Sequence, residues 1–176
     1  DKSFGVLGIV SLNISLTRRY IEGSNNSIAI QPDGKIVVAG DGGGNFTLAR
    51  YNDNGSLDIT FGEEKDKFGR IIGSGGGKST TSIGFESAVS CIAIQPDGKI
   101  LAGGITKAER SSRMSDHDFV LASYNPNGSL DMGFGEYHWG GYEKRKGSGK
   151  VTTDVGSLND DARSIVIQPD GKIVAA

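Results

Sequence analysis

Gln31-Pro32-Asp33-Gly34-Lys35-Ile36 decides how this chain is read, because the same six residues return at Gln95–Ile100 and Gln168–Ile173. Pro32 presets φ near −65° at the first central position of a turn, the Asp33 side chain can bond nearby backbone, and Gly34 takes the φ > 0 position. Pro96, Asp97 and Gly98, and Pro169, Asp170 and Gly171, do the same in the other copies. Each turn is flanked by apolar residues at period two: Ile28 and Ile30 upstream of the first, Ile92 and Ile94 of the second, Ile165 and Ile167 of the third. That alternation predicts strands with one buried face, and three hairpins built on one plan.

Composition agrees. Glycine accounts for 28 of 176 residues, roughly double the average share of about 7%, and no long apolar run has helical spacing. An all-β fold in a single domain follows. The net charge of −2 gives no general attraction to nucleic acid or to an anionic membrane. No apolar stretch reaches the ~18 residues of a membrane-spanning helix, so no membrane insertion is expected. Cys91 is the single cysteine; it cannot form an internal disulfide, and its place in a repeated strand marks it as a small packing residue.

Outward from the hairpins, more of the repeat emerges. Strands are expected at Ser27–Ile30, Lys35–Ala39 and Phe46–Tyr51, followed by a turn at Asn52-Asp53-Asn54-Gly55; Phe119–Tyr124 and Asn125-Pro126-Asn127-Gly128 repeat the last two. A tail of pattern D-x-x-F-G closes each unit, at Asp58–Gly62 and Asp131–Gly135, and appears again at Asp1–Gly5. Gly8–Val10, Gly69–Ile72 and Gly149–Thr152 are read as the strand that opens the next unit. The units then span about 5–62, 63–135 and 136–176, two complete and one partial, each of four strands where complete. Two insertions interrupt the pattern, at Lys107–Ser115 and Glu136–Ser148, and loops of this kind are where binding residues are commonly carried.

Four-stranded units at this period point to β-propeller blades. The combination of Gln-Pro-Asp-Gly-Lys-Ile, the Arg50–Asp58 stretch and the closing Phe-Gly resembles the bacterial delta-60 repeat, a propeller-type family of largely unknown activity. The resemblance covers nearly the whole chain, departing at Ser123, where the first unit has Arg50, and in the Glu136 loop. It implies a propeller fold and a secreted or cell-envelope setting, and carries over no catalytic residues.

The candidate chemical sites are few. Gly73–Ser79 looks like a phosphate-binding loop, but its required first glycine is Ile72 and no helix follows. Asn52, Asn54 and Asp58, with Asn125, Asn127 and Asp131, are oxygen-rich but lack calcium-loop order and are read as turn formers. His117 and His138 have no zinc-type spacing. Asp33, Asp97 and Asp170 recur identically in every unit, as a turn residue would. No catalytic set, metal or cofactor is expected. The one unrepeated cluster is Tyr137, His138, Trp139 and Tyr142 with Lys144, Arg145 and Lys146, chemistry suited to sugar rings, an acidic peptide or stacked bases, of which a glycan or protein partner is expected. The expected function is a non-catalytic scaffold or binding module; the alternatives are a lyase or hydrolase acting at a central channel, and a structural subunit. Since a propeller needs at least ~4 blades to close, further copies or a longer parent chain are expected to complete it.

Overall fold

The computed structural model describes residues 3–10, 27–65, 71–84, 86–107, 117–135, 139–140, 143–144, 147–156 and 159–176. All regular structure among them is β. The chain runs through β1 (Ser27–Ile30), β2 (Ile36–Asp41), β3 (Phe46–Tyr51), β4 (Glu63–Lys65), β5 (Ile71–Ser74) and β6 (Lys78–Thr81). It continues with β7 (Ser87–Ile94), β8 (Ile100–Lys107), β9 (His117–Tyr124), β10 (Trp139–Gly140) and β11 (Glu143–Lys144), and ends with β12 (Lys150–Thr153), β13 (Ile165–Ile167) and β14 (Ile173–Ala175). Two four-stranded antiparallel sheets result, ordered β1-β2-β3-β6 and β7-β8-β9-β12. They are propeller blades. A third hairpin, β13-β14, starts another unit, and the short hairpins β4-β5 and β10-β11 sit in the connections to the outer strands.

The Pro-Asp-Gly turns form as their chemistry requires. Gly34, Gly98 and Gly171 have φ of 85°, 83° and 82°, and Gln31 N–H donates to the Lys35 carbonyl at 2.8 Å. Asp33, Asp97 and Asp170 each accept the N–H two residues on, from Lys35, Lys99 and Lys172. This is a three-residue hairpin loop with glycine in the left-handed region, which fixes strand register on either side.

Strand grouping departs from the sequence expectation. Residues 150–153, expected to open the third unit, instead form β12, the outer strand of the second sheet on β9. The reason lies just upstream: Gly149 N–H donates to the Phe134 carbonyl, and Ser123 N–H donates to Gly149, which brings the chain back alongside β9. Gly77 does the same for β6 through Phe61 and Arg50. Both glycines have positive φ, and a Cβ there would collide with Leu57 or Leu130. The expected strand at Gly69–Ile72 is represented by β5, which pairs with β4 and joins neither blade. Gly8–Val10 is not a strand; it belongs to a turn closed by an isolated Val6–Ile9 bridge.

The core lies between the two blades. Val37, Ala39, Phe46, Leu48 and Phe61 from the first meet Val89, Ile100, Ala102, Val120, Ala122 and Tyr124 from the second, with β1 and β2 packed on β7. Ile92 and Ile94 pack against this cluster as expected. Ile28 and Ile30 do not: each is 67% exposed, because the isoleucine face of a blade is covered by the preceding blade, and no described residue fills that place for β1.

Candidate functional site at the joint between blades

Little of the aromatic loop falls within the described residues. Trp139 pairs with Lys144 and Gly140 with Glu143 as the backbone of β10-β11. Tyr137, His138, Tyr142, Arg145 and Lys146 lie outside the described residues. Of the polar insertion Lys107–Ser115, Lys107 ends β8 and residues 108–115 lie outside the described residues.

The repeated polar residues converge elsewhere, on the contact between one blade and the next. At the end of the first unit, Phe61 is fully buried and Gly62 N–H donates to the Asn127 carbonyl of the second blade at 2.8 Å. Gly128, at φ 86°, leaves room for the Phe61 ring; a Cβ there would lie 2.7 Å from it. The same joint is made by the first tail: Gly5 N–H donates to the Asn54 carbonyl at 2.9 Å, and a Cβ on Gly55 would lie 2.8 Å from Gly5 N. The tails that end at Gly5 and Gly62 therefore dock on the Asn-x-Asn-Gly turns at 52–55 and 125–128.

Arg50 organises the joint between the first and second blades. Its guanidinium lies over the Phe61 ring, 4.7 Å from the centroid. Nη1 donates to the Pro126 carbonyl across the joint at 2.6 Å and to Gln31 Oε1 at 3.1 Å. Nε and Nη2 both reach Asp58 Oδ2 at 2.9 Å, and Lys35 Nζ reaches the same oxygen at 2.9 Å. Gln31 Nε2 in turn donates to the carbonyls of Gly98 and Pro126 at 3.3 Å. A planar donor fork is the side chain suited to hold a carboxylate and a carbonyl together. Burial works against ionisation of Asp58, yet hydrogen bonds from Thr60 and Lys35, with the Arg50 charge, hold its carboxyl well below the usual range. A further tie comes from Lys150, whose Nζ donates to the carbonyls of Ile83 at 2.6 Å and Ser82 at 3.2 Å.

In the second unit Ser123 stands at the position of Arg50. Asp131 is held by Lys99 Nζ at 3.0 Å and by Ser123 Oγ at 3.3 Å. Against the pull of burial, Lys99, the Gly133 N–H and Ser123 lower its pKa. Phe134, unlike Phe61, is only half-buried.

The remaining sequence candidates are engaged structurally. Asn54 Oδ1 accepts from the N–H and hydroxyl of Ser56, and Asn127 Oδ1 from those of Ser129, so these oxygens close their own turns. The glycine-rich stretch 73–79 runs from the end of β5 through a turn at 75–77 into β6, and no described residue there is helical. Cys91 is buried, its thiol directed at the Ala162 carbonyl, and burial pushes its pKa up to about 11. His117 Nδ1 lies 3.1 Å from Asn159 Oδ1. Among the described residues, no three His, Cys, Asp or Glu side chains are grouped to hold a metal ion, and no helix is long and apolar enough to cross a membrane.

Sequence reasoning missed Gln31, Arg50, Asp58 and Phe61 as one site. The available signal was the joint recurrence of glutamine before each Pro-Asp-Gly and of Asp-x-x-Phe-Gly after each Asn-x-Asn-Gly. No curated protein matches the chain. Residues 31–61 and 95–134 are similar to a family described as a domain of unknown function (DUF5122) beta-propeller, and these two segments carry Gln31, Arg50, Asp58 and Phe61 and their counterparts Gln95, Ser123, Asp131 and Phe134, so the chain is made of β-propeller-type repeats.

Proposed function

We propose that this chain is a non-catalytic repeat module of the delta-60 type, acting as a scaffold or binding subunit at the bacterial surface or in a secreted protein. One observation carries the reading: the polar residues that recur from unit to unit are committed to turns and to the joint between blades. Asp33, Asp97 and Asp170 hold turn amides; Asp58 and Asp131 are ion-paired. Repetition of this kind builds a rigid platform and leaves ligand choice to unrepeated loops. The aromatic and basic residues at 137–146 are the proposed ligand contacts, for a glycan or an acidic protein segment.

A glycan and peptide array tests this. The parent protein should retain a ligand that Trp139→Ala combined with Tyr137→Ala loses, with the melting temperature unchanged. A double variant that binds as well as the parent, or one that melts far lower, would contradict the assignment of these rings to binding.

A further inference from the structure

The turns that receive the tails at Gly5 and Gly62 carry the two Asn-Gly pairs of the chain, Asn54-Gly55 and Asn127-Gly128. Asparagine followed by glycine is a pair prone to spontaneous deamidation, because glycine has no Cβ to hinder attack of its amide on the asparagine side chain. The reaction needs two freedoms. The glycine N–H must be open to a base in solvent, and the asparagine side chain must swing back over the glycine nitrogen.

In the second blade both are withheld. Gly128 N–H donates to the Asn125 carbonyl at 2.8 Å, and Gly128 is buried against the Phe61 ring. The Asn127 side chain is turned forward, its Oδ1 accepting from the Ser129 N–H at 3.0 Å and from the Ser129 hydroxyl at 2.8 Å. Asn127 itself is exposed, so solvent reaches the electrophile and only the nucleophile is covered. The cover comes across the joint: Gly62 N–H donates to the Asn127 carbonyl at 2.8 Å, and Arg50 Nη1 and Gln31 Nε2 donate to the adjoining Pro126 carbonyl at 2.6 and 3.3 Å. The contacts that join the blades are therefore the contacts that hold the reactive pair shut.

We propose that Asn127-Gly128 is a deamidation site gated by the Phe61-Gly62 tail, and that its conversion to isoaspartate unlocks the joint irreversibly. When the tail lifts, Gly128 N–H gives its proton to a solvent base and the nitrogen attacks Asn127 Cγ. The bond from Gly128 N to Cγ forms, the Cγ–Nδ2 bond breaks, and ammonia leaves with a proton from solvent. Water then opens the succinimide at either carbonyl. Attack at Cγ restores the ordinary backbone as aspartate; attack at the former backbone carbonyl carbon gives isoaspartate, whose chain runs through Cβ and Cγ. In the isoaspartate the oxygen that accepted from Gly62 belongs to a free carboxylate, and the lengthened backbone carries Gly128 out of its place beside the Phe61 ring. Asn54-Gly55 is held in the same manner by Ser56 and by a different tail, at Gly5, so it reports on opening elsewhere in the same molecule.

The intact chain is incubated in mildly alkaline buffer with and without denaturing urea, and the aspartate and isoaspartate forms of each Asn-Gly peptide are quantified by liquid chromatography and mass spectrometry. Conversion at Asn127 in the folded chain should be at least about tenfold slower than in urea, the factor that corresponds to an opening free energy of about 1.4 kcal/mol. Arg50→Met, and separately Gln31→Leu, should speed conversion at Asn127 more than at Asn54, whereas global unfolding would release both. The isolated isoaspartate form should show faster hydrogen exchange at the Gly62 amide than the parent. Equal rates at Asn127 with and without urea would overturn the proposal. So would two variants that both leave Asn127 unaccelerated or accelerate the two asparagines equally, and so would an unchanged Gly62 amide in the isoaspartate form.

Discussion

Replacing Arg50 with methionine isolates the group that ties the first two blades together. Methionine keeps most of the aliphatic stem that packs near Phe61 but removes the charge and every donor. Asp58 retains Lys35 at 2.9 Å and its Thr60 hydrogen bonds, and Pro126 retains Gln31. The loss is therefore below that of a fully orphaned ion. Breaking a buried pair costs about 3–5 kcal/mol when nothing else compensates, and hydrogen bonds to charged groups contribute about 1.5–3 kcal/mol each. Arg50 and Asp58 have side chains only 7% and 6% exposed, so solvent screens the pair little. With Lys35 remaining, the low end applies, about 3 kcal/mol. Urea slopes for small proteins are about 1–3 kcal/mol/M, and at about 2.5 kcal/mol/M the midpoint falls by about 1.2 M. Asp58→Asn alone and the double variant complete a cycle in which the coupling should reach about 1–3 kcal/mol. A midpoint for Arg50→Met within about 0.2 M of the parent, with the slope unchanged, would refute the assignment of Arg50 as the organiser of the joint.

Gly128→Ala should cost at least about 2 kcal/mol more than Gly34→Ala in the same urea assay. Both glycines share φ near 85°, but only Gly128 has a ring in the way, and nothing lies within 4 Å of a Cβ at Gly34. Asp58 and Asp131 have lowered pKa values, so the folded chain binds fewer protons there than the unfolded chain; their stabilisation is complete above the ordinary aspartate pKa of about 3.9 and is lost as pH falls below it. The urea midpoint should accordingly begin to drop as pH falls through about 4 and keep dropping below that, and the drop should be shallower in Asp58→Asn. Cys91, with its thiol pushed up to about 11, should react with a thiol reagent at neutral pH only in urea; rapid labelling of the native protein would contradict its burial.

Local chemistry was readable from the residues, and long-range pairing was not. Ser27–Ile30 and Phe46–Tyr51 form strands at the expected limits, since alternation and the flanking turns specify them within a few residues. The strand near Gly149–Thr152 was assigned to the following unit and the one at Lys78–Thr81 was not anticipated, because both are placed by Gly149 and Gly77 reaching back to Phe134 and Phe61, contacts that no local pattern records. The exposed face of β1 was misread for a related reason. Ile28 and Ile92 look identical in sequence, and only the presence of a blade in front of Ile92 distinguishes them. Gln31 and Arg50 appeared as ordinary turn and strand residues because their decisive partners, the carbonyls of Gly98 and Pro126, lie in the next blade.

The docking of the Phe61-Gly62 tail on the Asn127-Gly128 turn is the claim on which the rest depends, and nuclear magnetic resonance can observe it directly. In isotopically labelled protein, a through-hydrogen-bond coupling should connect the Gly62 amide nitrogen to the Asn127 carbonyl carbon. Nuclear Overhauser contacts should join the Phe61 ring protons to the Gly128 α-protons. A Gly62 amide that exchanges as fast as an exposed loop, with Phe61 showing no contact to Gly128, would contradict the account.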